Sequence, residues 1–407
     1  MTTVKDSVHD HIEVVGVAAD LLDTPPVQRL RRVKQLGTAT LVYPSANHTR
    51  FEHSLGVYHL ADRALECLGV EGQQAERVRA AALLHDVGHA PFSHNVEGLV
   101  HRRTGKLHDD VDDLVGDGPV ARVLSDHGLN PDRVACLVGG EGRFGQLVSG
   151  ELDVDRMDYL VRDAHHTGVP YGTIDHQRLV RELRFVGGQL VLDEGNVQTA
   201  ESLLLARALM NPTVYAHHVS RIAKTMLRRA TERLLEHTDH GAADVRRMDD
   251  HDFVAALRAA PGTEGLVRRL DERRLYKRAV WAELEAVPDA LLDADHEAVR
   301  GYEREIADAA GVDPSSVLVE VPDQPAMAES SSRVLVNGEV RELAAQSTLV
   351  AALRSAQQDQ WRFGVYAPAD RSERVGSAAV RTLGLDLDGA MVRDVRPGIN
   401  ATLEDFG

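Results

Sequence analysis

The chain has 407 residues, 43% of them hydrophobic, and a formal net charge of −17. This length predicts one large domain and a smaller one, and the negative charge argues against nucleic acid as a partner. No apolar run is long enough to cross a bilayer and no signal-peptide pattern begins the chain, so we expect a cytoplasmic protein with no membrane partner.

Two further features of the composition bear on the environment of the protein. Lysine is rare on this acidic chain, which favours a halophilic source, although a GC-rich genome would produce the same composition. Cys67 and Cys136 belong to no CxxC pair, so we expect neither a disulfide nor a zinc–thiolate site. Both lie in apolar stretches, and we predict that both are buried packing residues.

The first part of the chain predicts mostly helices. Residues 11–17 predict a short strand, and residues 24–36 predict a helix that Thr24 caps and Gly37 ends. Residues 53–68 and 73–87 then predict two amphipathic helices, because their apolar residues recur at helical spacing.

The later part of the chain predicts a change of fold. Two apolar runs around Gly187-Gly188 predict a β-hairpin, and residues 196–237 predict a helical stretch that Asn211-Pro212 interrupts. Beyond residue 310, SSVLVEV, SRVLVNGEVREL and QWRFGVYAP predict strands, and TLVAALRSAQQ and SERVGSAAVRTLGL predict helices. A polar stretch separates them at residues 322–332. We therefore predict a mainly α fold, with a helical domain over residues 1–310 and a small α+β module over residues 311–407.

Four scattered residues, His53, His85, Asp86 and Asp155, are candidate ligands of one divalent metal ion. Two imidazoles and two carboxylates suit Mn, Fe, Zn, Co or Ni, and Mg is a further candidate. Neighbouring side chains on a helix diverge by about 100°. His85 and Asp86 can therefore share an ion only near a helix end, where the glycine and proline that follow would place them. Taken singly, each of the four could be an ordinary polar or capping residue.

The flanks of these residues carry a family resemblance. RFEHSLGV, LLHDVGHAPFSH and LDVDRMDYLVRDAHHTGV occur in this order from Arg50 to Val169. They resemble the HD-domain phosphohydrolases, and most closely the branch of deoxynucleoside triphosphate (dNTP) triphosphohydrolases, over roughly residues 1–235. The resemblance implies an HD-domain helical bundle, a metal held by the four candidate ligands, and a homo-oligomer, either a dimer or a tetramer. It also implies hydrolysis of dNTPs at the α-phosphorus to deoxynucleoside and triphosphate.

The resemblance also implies catalytic roles for three residues. His108 falls where the family has a catalytic histidine, and it would give a proton to the leaving 5′ oxygen, since the pKa of imidazole lies near neutral pH. Asp109 would be its acidic partner, and His89 would line the active site. The alternative for His108 is a solvated loop histidine.

Substrate contacts are implied at nine positions. Arginines would contact the phosphates, tyrosines would flank the deoxyribose and disfavour a 2′-hydroxyl, an aspartate would accept the 3′-hydroxyl, and a histidine would line the site. Two loop residues would lie against the sugar and base. Tyr159 could instead belong to the core, and Arg207 to a solvated helix face. The nine positions are Gln35, Leu36, Arg50, His94, Arg156, Tyr159, Asp163, Arg207 and Tyr215.

A weaker match suggests regulation by a nucleotide. In relatives, the positions of three residues of this chain bind an activating guanine nucleotide: Asp23, Gln28 and Arg31. A carboxylate can accept from guanine N1 and N2, and a guanidinium can donate to O6. The alternative is structural, because this segment could need the same residues for capping and packing.

Other functions remain open at this point. Another phosphohydrolase of the same fold could act on nucleoside monophosphates, cyclic dinucleotides or alarmones, although no GYP motif indicates cyclic dinucleotides. A nucleotide-sensing scaffold with little turnover is a second alternative, and a nuclease with a local arginine groove is a third.

Overall fold

The computed structural model describes residues 2–324, 332–387 and 391–392. Helices dominate the described chain, and small sheets accompany them, which confirms the predicted mainly α fold with a small α+β part near the C-terminus. Most of the polar stretch at 322–332 and the end of the predicted module lie outside the described residues. Among the described helices, none combines the length and apolar composition that a membrane span requires.

The first half of the chain is an array of helices that follows an N-terminal β-hairpin. Its elements are β1 (Thr2–Asp6), β2 (Asp10–Val14), α1 (Gly16–Leu22), α2 (Pro25–Arg29), α3 (Arg50–Leu68), α4 (Gly72–Leu84), α5 (His94–Thr104), α6 (Asp112–Val115), α7 (Gly118–Asp126), α8 (Pro131–Val138), α9 (Gly142–Val148), α10 (Val154–Thr167) and α11 (His176–Arg181).

The second half mixes helices with short strands. Its elements are β3 (Leu183–Val186), β4 (Gln189–Leu192), α12 (Val197–Met210), α13 (His218–His237), α14 (Ala242–Arg247), α15 (Asp250–Ala259), α16 (Glu264–Asp271), β5 (Lys277–Ala282), α17 (Asp289–Leu292), α18 (His296–Ala310), β6 (Leu318–Glu320), β7 (Arg333–Val336), β8 (Glu339–Glu342), α19 (Leu343–Gln346), α20 (Thr348–Gln360), β9 (Phe363–Ala367) and α21 (Ser372–Leu383).

The chain forms two compact units, of which the first contains Met1–Ser220, Leu227–Arg268 and Met327–Leu353. Its centre is α3, which packs against α4 and α10. A capping box begins α3, because Glu52 Oε2 accepts from the backbone N–H of Thr49 at 2.5 Å. Gly69, with a φ of 63°, ends the helix in the left-handed conformation that glycine adopts most easily. The hairpin β7–β8 joins this unit, because Val334 pairs in parallel with Leu192 of β4.

The second unit contains Arg221–Met226, Arg269–Ala326 and Arg354–Gly407. Its sheet has the order β5-β9-β6, and both pairings with β9 are antiparallel. All five residues of β9 are buried, as are apolar residues of α18 and α21 that pack in the same core. A strand buried on both faces reads as a continuous apolar run, which explains why QWRFGVYAP is recognisable as a strand.

These units differ from the division expected at residue 310. Strand β5 pairs with β9, so residues 269–310 group with the C-terminal strands, whereas β7 and β8 group with the helical unit. Pairing partners that lie more than eighty residues apart leave no local signal in the sequence. The boundary between a catalytic domain and a C-terminal module stays a prediction.

Several local predictions need correction. The helix predicted over 24–36 ends at Arg29, a 3₁₀ turn follows, and Gly37 begins another 3₁₀ helix. Cys67 and Cys136 are both exposed, not buried. The predicted interruption near Asn211-Pro212 is a π-helical turn over Asn211–Tyr215. Proline offers no backbone N–H for a regular helical bond, and this turn sets the position of Tyr215.

Candidate active site

Helix α3 carries His53 into the core of the first unit, where its side chain is fully buried. His53 Nε2 lies 2.8 Å from Asp155 Oδ1, on α10. His53 Nδ1 lies 2.7 Å from Asp158 Oδ2, one turn further along the same helix. Two carboxylates therefore hold the imidazole from opposite sides.

His85 and Asp86 directly follow the last residue of α4, as convergence on one ion requires. His85 Nδ1 lies 2.8 Å from the carbonyl oxygen of Ala82, which can only accept, so this nitrogen is the donor and Nε2 remains available. His85 Nε2 lies 3.2 Å from His53 Nε2 and 3.7 Å from Asp155 Oδ1. We call His53, His85, Asp86 and Asp155 the metal-ligand cluster.

The donor set of this cluster fits a divalent cation. Ligand atoms of His53, His85 and Asp86 all lie within 4.8 Å of one another. Burial would lower the pKa of His53, but the carboxylates of Asp155, Asp158 and Asp86 raise it to about 10. Such an environment favours positive charge at its centre, which a metal ion bound to two imidazoles and two carboxylates would supply.

Asp158 and Arg162 support the cluster from behind and were not predicted from the sequence. Arg162 donates to both oxygens of Asp158, at 2.9 and 3.0 Å, and both side chains are fully buried. A carboxylate that orients a metal-binding histidine is a common feature of metal sites. Removing one partner of such a buried pair costs about 3–5 kcal/mol. The signal was the spacing, because Asp158 follows Asp155 by one helical turn and Arg162 follows by another.

A second group, which we call the proton cluster, consists of His89, His94, Glu97 and His108. Its ligand-type atoms also lie within 4.8 Å of one another. Glu97 lies 2.6 Å from His94 Nδ1 and 2.5 Å from His108 Nδ1. The His89 and His108 rings stack at 4.3 Å, and His89 Nε2 lies 3.2 Å from Asp86 Oδ1. This last contact joins the two clusters.

Two imidazoles of the proton cluster, those of buried His89 and half-buried His108, differ in their pKa. Burial, together with the charges of Arg50 and His108, holds the pKa of His89 well below its usual value. Burial would also lower the pKa of His108, but its hydrogen bond to Glu97 and the charge of Glu97 raise it overall. His108 is therefore the better proton donor of the two.

The predicted acidic partner of His108, Asp109, is not the residue that holds it. Glu97 occupies that position from α5, and it also accepts from the backbone N–H of His108 at 3.1 Å. Among the described residues, the Asp109 side chain makes no hydrogen bond or ion pair. Glu97 lies eleven residues before His108, and its position one helical turn after His94 was the available signal.

The backbone before His94 is strained, and hydrogen bonds hold it in place. Phe92 and Ser93 have φ values of 55° and 57°, which non-glycine residues rarely adopt. The N–H of Phe92 donates to Asp250 at 2.7 Å, and Ser93 Oγ donates to the Lys34 carbonyl at 2.6 Å. Strain of this kind persists only where surrounding contacts fix it, and it concentrates at functional sites.

Arg50 lies beside the metal-ligand cluster. Its Nη1 donates to both oxygens of Asp86 at 3.0 Å, and its Nε donates to Ser93 at 2.8 Å. Burial would raise the pKa of Asp86, but Arg50 and the neighbouring imidazoles hold it well below its usual value. The residue predicted to bind phosphate is thus near the ligands and in contact with one of them.

The predicted sugar contacts Tyr159, Asp163 and Tyr215 lie together. The Tyr215 hydroxyl donates to Asp163 Oδ2 at 2.9 Å, and the two tyrosine rings lie 6.1 Å apart. The Tyr159 ring is 6.5 Å from that of His53. His48, which sequence reasoning missed, is buried and lies 2.8 Å from Asp163 Oδ1.

The remaining predicted substrate contacts surround this group less closely. Burial raises the pKa of Tyr159, and the charge of Arg207 opposes this rise. Arg156 donates to Asp153 and to the carbonyl of Gly150. Gln35 is buried with its Oε1 unbonded to any described residue, and Leu36 is partly buried against the core.

The segment predicted to bind an activating nucleotide makes contacts mostly with its own neighbours. Gln28 donates to the Leu22 carbonyl at 2.8 Å and accepts from Arg31 at 2.9 Å. The Arg31 guanidinium lies 3.6 Å from the centre of the Phe51 ring. Asp23 is exposed at the end of α1. These contacts fit the structural alternative, and nucleotide activation stays a prediction.

Comparison with known proteins identifies relatives over nearly the whole chain. Residues 50–162 match the HD domain, and residues 174–394 match the HD associated region. An uncharacterized protein of Methanocaldococcus jannaschii is 32% identical over 381 residues, which cover 91% of this chain and 80% of that protein. Human deoxynucleoside triphosphate triphosphohydrolase SAMHD1 is 31% identical over 273 residues, which cover 56% of this chain and 44% of the human protein. A solved phosphohydrolase structure from Bacteroides thetaiotaomicron has a TM-score of 0.72 and 26% identity, and covers 90% of this chain and 100% of its own.

Proposed function

Because the chain belongs to the HD-domain family of metal-dependent phosphohydrolases, in the branch that includes the dNTP triphosphohydrolases, we propose that it hydrolyses dNTPs to deoxynucleoside and inorganic triphosphate. The observation that carries this proposal is one face of α10. Asp155, Tyr159 and Asp163 follow one another at intervals of four residues and lie on that face. At 1.5 Å per residue, the face extends about 12 Å from a metal ligand to a buried carboxylate.

This face suits a nucleotide laid along it. The metal-ligand cluster lies at one end, where the α-phosphate would bind, and Asp163 lies at the other. Tyr215 and Tyr159 stand between them, with the Tyr215 hydroxyl bonded to Asp163. A ring packed against the sugar leaves no space for a 2′-hydroxyl, and the carboxylate can accept from a 3′-hydroxyl. The proposed substrate is therefore a deoxyribonucleotide.

The chain brings positive charge to phosphate in spite of its acidity. His53, His85, Asp86 and Asp155 would hold one divalent ion, which polarises a phosphate oxygen and lowers the pKa of water when bound. Arg50, fixed against Asp86, adds a buried guanidinium beside these ligands. We assign the α-phosphate to this position, with Arg156 and Arg207 as further cations for the triphosphate.

The leaving 5′ oxygen requires a proton, which we assign to His108. Glu97 accepts from Nδ1 of this imidazole, so the second proton of the cation sits on Nε2 and can be transferred from there. Glu97 keeps the charged form available near neutral pH, since it raises the pKa of His108. A correctly placed acid of this kind contributes about 10²–10⁴-fold to the rate.

The proposal extends to regulation and environment. We infer a cytoplasmic homo-oligomer that a guanine nucleotide activates through Asp23, Gln28 and Arg31, and that works at elevated salt. The support is the resemblance of this segment and the acidic composition. The assay must therefore vary both GTP and salt.

The first experiment incubates the purified protein with mixed dNTPs, Mn²⁺ or Mg²⁺, with and without GTP, at low and high salt. Products are identified by mass, and a parallel reaction runs in ¹⁸O-labelled water. We expect deoxynucleoside and intact triphosphate, with the label in the triphosphate, because attack at the α-phosphorus leaves the 5′ oxygen on the nucleoside.

Other products would reject the mechanism. Monophosphate with pyrophosphate, or diphosphate with phosphate, would mean that a phosphoanhydride bond breaks instead of the bond between the α-phosphorus and the 5′ oxygen. No turnover under any condition would favour another nucleotide substrate or a sensing role. Asp163→Asn is the matched variant for sugar recognition, and it should raise KM for dNTPs while the metal content stays at the wild-type level.

A further inference from the structure

The N-terminal hairpin β1–β2 reaches the back of the metal-ligand cluster through its turn. Asp6, at the end of β1, is buried, and its Oδ1 accepts from the backbone N–H groups of Val8 and His9 at 2.9 and 2.8 Å. These bonds fix the turn that carries the His9 side chain. Only 2% of that side chain is exposed, although the turn lies at the edge of the fold.

His9 connects to a metal ligand through one carboxylate. His9 Nε2 lies 2.6 Å from Asp158 Oδ1, and Asp158 Oδ2 lies 2.7 Å from His53 Nδ1. An ionised carboxylate only accepts, so both imidazoles donate to it. Because the Nδ1–H of His53 donates to Asp158, the other nitrogen, Nε2, faces the rest of the metal-ligand cluster.

Arg162 closes this arrangement into a ring. It donates to both oxygens of Asp158 and, from Nη1, to Asp6 Oδ2 at 2.8 Å. The ring runs from Asp6 through Arg162 and Asp158 to His9, and it returns to Asp6 through the backbone N–H of His9. Its side chains are almost wholly buried, so each bond has little competition from water.

Gly56 shows how closely this ring is packed against α3. A Cβ at Gly56 would lie 1.9 Å from Asp158 Oδ1 and 2.5 Å from Arg162 Nη2. Asp158 therefore has no room to change position on that side. The His9 ring supplies a hydrogen bond to the same oxygen.

We propose that His9 is a positioning residue for the metal centre, which fixes Asp158 and through it the orientation and donor nitrogen of His53. The inference rests on the proposed role of His53 as a metal ligand, but it does not depend on which phosphate ester is hydrolysed. Without His9, Oδ1 of Asp158 keeps only its bond from Arg162, and the carboxylate can turn toward the space that the His9 ring vacates. The imidazole of His53 would then no longer be held toward the other ligands.

Two neighbouring histidines provide a matched comparison. The rings of His59 and His176 lie 5.1 and 5.4 Å from that of His9. Neither makes a hydrogen bond to Asp158 in the described structure. A variant at His59 therefore disturbs the same group of rings and leaves the path to His53 intact.

The test measures Mn²⁺ affinity in the full chain by competition with a chelator, with no substrate present. His9→Phe keeps the ring and removes the donor, and we expect its dissociation constant for Mn²⁺ to rise about 10–100-fold, as removal of such supporting contacts does in other metal sites. His9→Gln restores a donor and should recover most of the affinity. His59→Phe should bind Mn²⁺ as the wild type does. The melting temperature of each metal-free variant is measured in parallel.

The outcomes separate positioning from packing. Unchanged Mn²⁺ affinity in His9→Phe, an equal loss in His59→Phe, or no recovery in His9→Gln would overturn the proposal. If His9→Phe does not fold, His9→Asn, whose shorter amide stops short of Asp158, replaces it in the comparison with His9→Gln. A His53→Ala variant that binds Mn²⁺ normally would reject this inference together with the metal site, whereas tight Mn²⁺ binding without dNTP turnover would reject only the proposed substrate.

Discussion

The two clusters of the candidate site are neighbours, and we propose that their surroundings select different cations, a divalent metal ion in one and a proton in the other. Around His53, three carboxylates, those of Asp86, Asp155 and Asp158, lie close to one imidazole. In the proton cluster, a single carboxylate, that of Glu97, serves two imidazoles. We therefore expect the ratio of carboxylates to imidazoles, more than the presence of histidine, to distinguish a site for a divalent ion from a site for a proton donor.

If the two clusters differ in this way, the largest loss of activity is expected when a metal ligand is removed. His85→Ala or Asp86→Ala should abolish metal retention and lower phosphohydrolase activity about 10³-fold, since the bound ion supplies several kcal/mol of transition-state stabilisation. Metal content is measured by elemental analysis, and retention of the fold by far-ultraviolet circular dichroism. Full activity in a variant that holds no metal would remove the distinction between the clusters.

The proton cluster should respond differently. His108→Ala should lower kcat about 10²–10⁴-fold, because the leaving oxygen loses its proton donor, while the metal content stays at the wild-type level. His101→Ala, which removes an exposed histidine from the last turn of α5, is the matched control and should keep wild-type kcat. Loss of metal from the His108 variant would mean that the two clusters are one site.

Two glycines allow each cluster to be disturbed without removing any of its side chains. At Gly56 an added Cβ would meet Asp158, and at Gly88 it would lie 2.1 Å from the backbone carbonyl oxygen of His108. Gly56→Ala should weaken metal binding about 10–100-fold. Gly88→Ala should keep the metal and lower kcat about 10²-fold, because a displacement of 1 Å suffices for that loss.

Gly98→Ala is the control for both glycine variants, because a Cβ at this position of α5 meets nothing within 4 Å. It should leave metal affinity and kcat unchanged. Metal loss in Gly88→Ala with no metal loss in Gly56→Ala would reverse the assignment of the two clusters.

The sequence predicted the metal-ligand cluster better than the contacts that organise it. His53, His85, Asp86 and Asp155 stand in blocks whose order and flanks are recognisable, and the need for a helix end at His85 follows from helix geometry. Asp158 was visible only as a carboxylate one turn after Asp155. The pairing with His9 joins residues 149 positions apart, and no periodicity encodes such a contact.

The fold shows the same limit of prediction from sequence, because contacts between distant residues leave no local pattern. Strands β7 and β8 were predictable from their own residues, but their attachment to β4 was not, because Val334 and Leu192 share one bridge across a long separation. That Glu97, and not Asp109, is the partner of His108 likewise depends on tertiary structure. Asp109 is adjacent in sequence, whereas Glu97 reaches His108 only because α5 passes beside its loop.

The smallest predicted effect concerns pH, and it tests that pairing directly. Glu97 raises the pKa of His108 against the opposing effect of burial, and in the proposed mechanism the protonated form is the active one. Activity should therefore be present below this raised pKa and should fall, about tenfold per unit, as the pH rises through it. Glu97→Gln removes the charge, lowers the pKa of His108 and should move the alkaline limb of kcat/KM to lower pH. Asp109→Asn should leave the limb in place. An alkaline limb that moves in Asp109→Asn and stays fixed in Glu97→Gln would restore Asp109 as the partner, and the proton cluster would then lose the carboxylate that distinguishes His108 from His89.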